Sequence, residues 1–190
     1  MAELHDPFVI LERYGTSDYI GEPVTQIAHM CQAAQLAQNA GADDALILGA
    51  LFHDIGHLCA PTDAPEMDGL GVVDHEHIGA DFLLACGYSE RVADLVRLHV
   101  QAKRYLCFRH PKYLANLSRA SAGTLAFQGG TMTTEEASAF EAHPLHRDIL
   151  RLRAWDEAAK DRTGTGLDLN EARAIAARHR MTDSMEESQC

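Results

Sequence analysis

The chain has 190 residues, 46% of them hydrophobic, and a formal net charge of -12 from 16 Lys and Arg against 28 Asp and Glu. This is one domain's length of chain with enough apolar content for a sizeable core. An acidic balance without a basic stripe excludes a phosphate-backbone binder, so no nucleic-acid partner is expected, and no run of 18 apolar residues is present to span a membrane.

Residues 1–23 form an N-terminal segment with no assigned helix, and its start, MAELHDPF, does not read as a secretory signal. Residues 24–40 place Val24, Ile27, Ala28, Cys31, Ala34 and Leu36 largely on one helical face, and Gly41 stops that helix. Asp43 or Asp44 caps the next, which runs through Ile55. Its near-continuous apolar run makes it central and buried, and Gly56 marks an irregularity or its end. Residues 58–73 read as a loop. Asp74 caps a helix over 75–86, ended by Gly87, and Ser89 opens another through Lys103. After a break at 105–111 come a weaker helix over 117–127 and one from Thr133 or Thr134 to about Glu141. A longer helix covers 143–160, with Pro144 in its first turn. The last helix covers 170–179, and residues 181–190 form a flexible tail. With no period-two alternation, the expected fold is an all-α bundle over residues 24–180.

Cys31, Cys59, Cys86, Cys107 and Cys190 contain no CxxC pair, so free thiols in a reducing cytoplasm are expected. The 11 histidines are the unusual count. His53 and His57 stand four apart beside Asp54 in the most apolar helix, where polar groups need partners such as a metal. His29 precedes His53 by 24 residues, His75 follows it by 22, and His99 follows His75 by 24. Successive antiparallel helices would return these imidazoles to one level of a bundle, with Asp156 joining from a late helix. Two first-row transition metals fit this set, Asp54 bridging them. His29, His53 and Asp156 would serve one ion and His75 and His99 the other. His5, His110, His143, His146 and His179 read as structural or surface, and His77 faces away from His75.

An isolated His, a His-Asp pair and a late Asp, all on helices, resemble the HD-domain superfamily. Most of its members are metal-dependent phosphohydrolases. The stretches Asp18-Tyr19-Ile20-Gly21-Glu22, LFHDIGHLCA (51–60), DGLGVVDHE (68–76), AKRYLC (102–107), FQGG (127–130) and RAWDEAAK (153–160) are similar to the branch of mixed-valent diiron oxygenases that cleave phosphonates.

That resemblance implies two iron ions, Fe(II)/Fe(III), with dioxygen as co-substrate. It implies an N-terminal lid in which Tyr19 is a labile phenolate ligand of the second iron, displaced by substrate, and Glu22 then meets the substrate's amine. For the phosphonate head, Lys103 and Arg153 are the cationic candidates, with Ser121 and Thr124 as hydroxyl donors. His57, one turn from His53, is expected to hydrogen-bond the substrate hydroxyl or an iron-bound group. The implied reaction breaks the C–P bond of (R)-2-amino-1-hydroxyethylphosphonate to give glycine and phosphate. Its alternatives are the trimethylammonio analogue giving glycine betaine, an HD-type phosphohydrolase, and a metal-stabilised scaffold without turnover. A small anionic organophosphonate is thus the expected partner of a monomer or small homo-oligomer.

Overall fold

In a computed structural model, residues 6–19 and 22–187 are described, and among them eleven helices and no strand form an all-α bundle. His5, Ile20, Gly21 and Cys190 lie outside the described residues. The helices are α1 (Pro7–Tyr14), α2 (Gln26–Asn39), α3 (Asp44–Phe52), α4 (Gly56–Cys59), α5 (His75–Ala85) and α6 (Glu90–Arg109). They continue with α7 (Pro111–Ala115), α8 (Arg119–Leu125), α9 (Thr134–Glu141), α10 (His146–Ala158) and α11 (Leu169–Glu187). No helix among the described residues is long and apolar enough to cross a membrane.

The centre is α3. Every residue from Ala45 to Phe52 is buried, so the helix has no polar face and must be covered on all sides. Helices α2, α6, α10 and α11 cover it. Asp43 caps it by accepting the Leu46 N–H at 3.0 Å. The caps expected at Thr133 and Ser89 also form, the former as a full capping box with Glu136.

Several expected boundaries shift. Helix α1 has no counterpart in the sequence reading, although Asp6-Pro7 is an N-cap followed by proline at the first helical position. Helix α3 ends at Phe52 rather than Ile55. The chain then tightens, with Ile55 N–H bonded to Phe52 O and His57 N–H to Asp54 O, before α4 begins. Asp74 holds the N-cap position of α5 but does not cap it. Its backbone is left-handed (φ 64°, ψ 22°), and its carboxylate takes His77 Nδ1 at 2.7 Å instead.

The break expected at 105–111 narrows to His110. Helix α6 continues to Arg109 and stops only where His110, preceding Pro111, is forced to an extended conformation (φ -130°, ψ 91°). Proline then opens α7, which the sequence reading lacks. Pro144 lies before α10 rather than in its first turn. Helix α11 runs on to Glu187, through most of the expected tail. Cys31, Cys59, Cys86 and Cys107 are free thiols.

Candidate metal centre and substrate pocket

Five parts of the chain bring six side chains to one buried point. His29 comes from α2, His53 and Asp54 from the turn after α3, His75 from the first position of α5, His99 from α6 and Asp156 from α10. The Nε2 atoms of His29 and His53 are 3.0 Å apart, and those of His75 and His99 are 3.3 Å apart. Asp54 lies between the pairs. Its Oδ2 is 3.8 and 3.6 Å from His29 and His53, and its Oδ1 is 3.4 and 3.5 Å from His75 and His99. Asp156 Oδ1 joins the first pair at 3.3 and 3.8 Å. The division drawn from spacing, with Asp54 between two groups, is the arrangement in space.

The imidazole tautomers favour metal. His29 Nδ1 donates to Ala159 O at 2.8 Å, His53 Nδ1 to Ala50 O at 2.8 Å and His99 Nδ1 to Val96 O at 2.7 Å. His75 Nδ1 faces Glu76 Oε2 at 3.4 Å, and both atoms are buried without another partner. With Nδ1 so engaged, His29, His53 and His99 in their neutral form each present an Nε2 lone pair to the centre. Lone pairs this close repel unless a cation lies between them. Four imidazoles and two carboxylates, with no thiolate, make a donor set for first-row transition metals.

Burial opposes the charged form of His53 and takes it down to about 4. Burial also works against both carboxylates as ions, yet His53, His75 and His99 hold Asp54 well below the ordinary range, and Arg153 and His29 do the same for Asp156. The centre thus holds carboxylates ionised and keeps an imidazole free to ligate.

His57 does not share a straight helical face with His53. The turn at 53–55 carries it over His75, where the rings stack at 3.9 Å, 18° from parallel. Its Nδ1 accepts the Val72 N–H at 3.1 Å, which puts the proton of a neutral ring on Nε2. Burial takes His57 down to about 3. One ligand atom each from Asp54, His57 and His75 lie within 4.8 Å of one another, so His57 stands within reach of the centre itself.

Beside the centre is a cavity of about 180 Å³ lined by residues of every expected class. Tyr19 stacks on His29 at 4.2 Å, 13° from parallel. Burial first, then Asp54 and Asp156, pushes its phenol well above its ordinary range. Without metal, Tyr19 is therefore a neutral phenol. It and Glu22 belong to a tight turn in which Glu22 N–H bonds Tyr19 O at 2.9 Å and Tyr19 N–H bonds Val24 O at 2.8 Å.

Lys103 is buried, yet its ammonium forms no ion pair among the described residues. It donates only to Thr124 Oγ1 at 2.8 Å and to the Ser121 carbonyl at 3.4 Å. Burial, with Arg153 nearby, lowers it to about 7. Arg153 differs. It donates to Asp156 Oδ2 at 2.5 Å and to Tyr113 Oη at 2.9 Å, and it pairs with Glu157. Two of the five guanidinium N–H groups are left over for a ligand. Thr124 and Ser121 line the cavity as expected, but Thr124 Oγ1 is already engaged by Lys103.

Other participants had no role in the sequence reading. Gln26 and Gln128 line the cavity, each with a buried amide oxygen lacking a partner. Tyr113 holds Arg153 from a helix the sequence did not announce. Gln128 and Lys160 fall inside the FQGG and RAWDEAAK stretches, and that is the only sequence signal for either. His77, His110, His143, His146 and His179 stand outside the cavity, and His179 Nε2 bonds Ser89 Oγ at 2.9 Å.

The bundle and its clustered His and Asp side chains define an HD-type metal-binding domain. The HD domain family model matches residues 27–138, and the chain belongs to this family. The match includes His29, His53, Asp54, His75 and His99, and Asp156 lies beyond it. Within the family, the chain is 42% identical over 151 residues to 1-hydroxy-2-(trimethylamino)ethylphosphonate dioxygenase (glycine-betaine-forming) of Leisingera caerulea, covering 80% of this chain and 76% of that one. It is 41% identical over 155 residues to hydroxymethylphosphonate dioxygenase of Gimesia maris, with coverages of 80% and 76%. An uncharacterised protein of Acanthamoeba polyphaga mimivirus is 44% identical over 152 residues, with coverages of 80% and 69%. The resemblance to the phosphonate dioxygenases among HD-domain proteins is borne out.

Proposed function

We propose that the protein is a diiron oxygenase that cleaves the C–P bond of (R)-2-amino-1-hydroxyethylphosphonate with dioxygen, giving glycine and phosphate. The balance closes: both oxygen atoms enter the products, and no further reductant is consumed. Two iron ions held by His29, His53, Asp54, His75, His99 and Asp156 would supply dioxygen activation and electron exchange.

The observation that carries this reading is Lys103, a buried ammonium without a carboxylate partner, lining a cavity that also exposes the imidazole–carboxylate cluster. Such a group calls for an anion. Lys103 and the spare donors of Arg153 would receive the phosphonate oxygens. His57, with its proton on Nε2, would hydrogen-bond the C1 hydroxyl. Tyr19 would give way to the substrate. The ammonium would be met by Glu22 and by the partnerless oxygens of Gln26 and Gln128.

Those acceptors favour a primary amine, which can donate hydrogen bonds. A trimethylammonium group cannot satisfy them and prefers an aromatic wall. Among the described residues the wall offers Tyr19 as its one phenyl-type ring, beside the apolar Met67, Leu70 and Val72.

The test is oxygen uptake and phosphorus NMR of the iron-loaded protein with the amino, trimethylammonio and hydroxymethyl phosphonates. Glycine and phosphate from the amino compound, with one dioxygen consumed per turnover, support the proposal. Phosphate release without oxygen overturns it in favour of a phosphohydrolase. A preference for the trimethylated compound overturns the choice of amine.

A further inference from the structure

Glu22 lines the cavity, but its carboxylate is already engaged. Lys160 Nζ donates to Glu22 Oε1 at 2.8 Å across 138 residues of chain. The two side chains are 9% and 16% exposed, so the pair is largely sheltered from water. Lys160 is not itself among the residues that line the cavity. It also donates to Ser118 Oγ at 3.3 Å, at the start of α8, and stands 3.9 Å from Glu157 Oε2. Its neighbour Ala159 accepts the His29 Nδ1 proton. One ammonium thus ties the Tyr19–Glu22 turn to the end of α10 and to the wall that carries Ser121 and Thr124.

We propose that Lys160 is a specificity-determining residue, one that neutralises Glu22 and competes with a substrate's cationic group for it. This rests on the reading that the cavity takes a 1-hydroxyphosphonate. A sheltered carboxylate without a counter-charge is costly, so the protein supplies one of its own. An uncharged-tail phosphonate binds with the Glu22–Lys160 pair intact. A cationic one must share or displace Lys160, and so realises only part of the attraction that Glu22 offers. Selectivity between the two is a difference of affinities, and Lys160 sets it.

The test is anaerobic calorimetry of the iron-loaded protein, which measures binding without turnover. The probes are 2-amino-1-hydroxyethylphosphonate and hydroxymethylphosphonate. In Lys160→Met the unneutralised carboxylate attracts the first and repels the second, so the affinity ratio moves toward the amine by about tenfold or more. Lys160→Arg keeps the charge and should keep the wild-type ratio. If Lys160→Met does not fold, Lys160→Gln removes the charge while leaving a donor for Glu22, and the ratio is read there. Equal losses for both phosphonates would make Lys160 only a structural tie and overturn the proposal, as would a ratio that stays put or moves away from the amine. Wild-type protein that binds neither phosphonate refutes the assigned function instead, before any variant is compared.

Discussion

His57 lies flat on His75, ring centroids 3.9 Å apart, because two glycines leave room for it. A Cβ on Gly56 would stand 1.9 Å from the His75 carbonyl oxygen and 2.9 Å from the Gly79 nitrogen. One on Gly71, at φ +103°, would stand 2.6 Å from His57 Cε1. The first pair of groups is backbone and cannot turn aside. Gly56→Ala must therefore push α4 off α5, at a cost of about 3 kcal/mol. Urea unfolding of metal-free protein measures it, and the iron content of the variant should fall as well.

The two histidine pairs predict different metal losses. His29→Ala or Asp156→Ala should leave less than two ions per chain but more than none, with the His75–His99 pair still intact. Asp54→Ala removes an oxygen from both groups and should abolish stable binding of either ion. Metal analysis after gel filtration reads the stoichiometry. Equal losses in every variant would mean that the groups do not act separately.

Lys103 gives the pH dependence. Its value in the fold is about 7, below the ordinary 10.5, chiefly through burial. Below about 7 the ammonium is present to receive a phosphonate. As pH rises through that value the ligand-free protein loses the proton, and affinity falls by up to tenfold per pH unit. Lys103→Arg should flatten this slope. Stability has the opposite sign. Between about 7 and 10.5 the unfolded chain binds the extra proton, so this residue's contribution to stability rises with pH there.

Lys103→Met should separate stability from function. Replacing a buried, unpaired ammonium by an apolar chain of similar length should stabilise the fold near pH 6 by about 2 kcal/mol. Phosphonate binding should weaken about 100-fold. Thermal melts and calorimetry measure the two changes.

Tyr113 predicts a milder effect. Its hydroxyl accepts from Arg153 Nε at 2.9 Å and donates to Glu157 Oε1 at 3.0 Å. Tyr113→Phe leaves Arg153 tied to Asp156 but loosens its plane. KM for the phosphonate should rise about fivefold, about 1 kcal/mol for one hydrogen bond, with kcat nearly unchanged.

The candidate metal cluster was legible because His29, His75, His99 and Asp156 sit on helices and His53 and Asp54 directly follow one, so that helical return lengths translate into levels of a bundle. What depended on loop geometry was not legible. His57 looked like a neighbour of His53 by spacing, but the tight bonds after Phe52 turn the chain before the next helix forms. Asp74 looked like a cap by residue type, but its left-handed backbone sends the carboxylate to His77. The end of α6 lies six residues beyond the Lys103 expected from sequence, because the physical stop is the restriction that Pro111 places on His110. Tyr113 and Lys160 bond partners 40 and 138 residues away and carry no periodic signal.

The cluster also makes the ions into cross-links. They would join chain positions from His29 to Asp156, through four helices and a turn. Opening any one of these elements would then mean releasing metal, so the separate local openings of the bundle should merge. Amide hydrogen exchange in α2, α5, α6 and α10 should show a spread of rates in metal-free protein and one common slow rate after loading. The same four helices that assemble the chemistry would then also set how long the folded chain survives proteolysis.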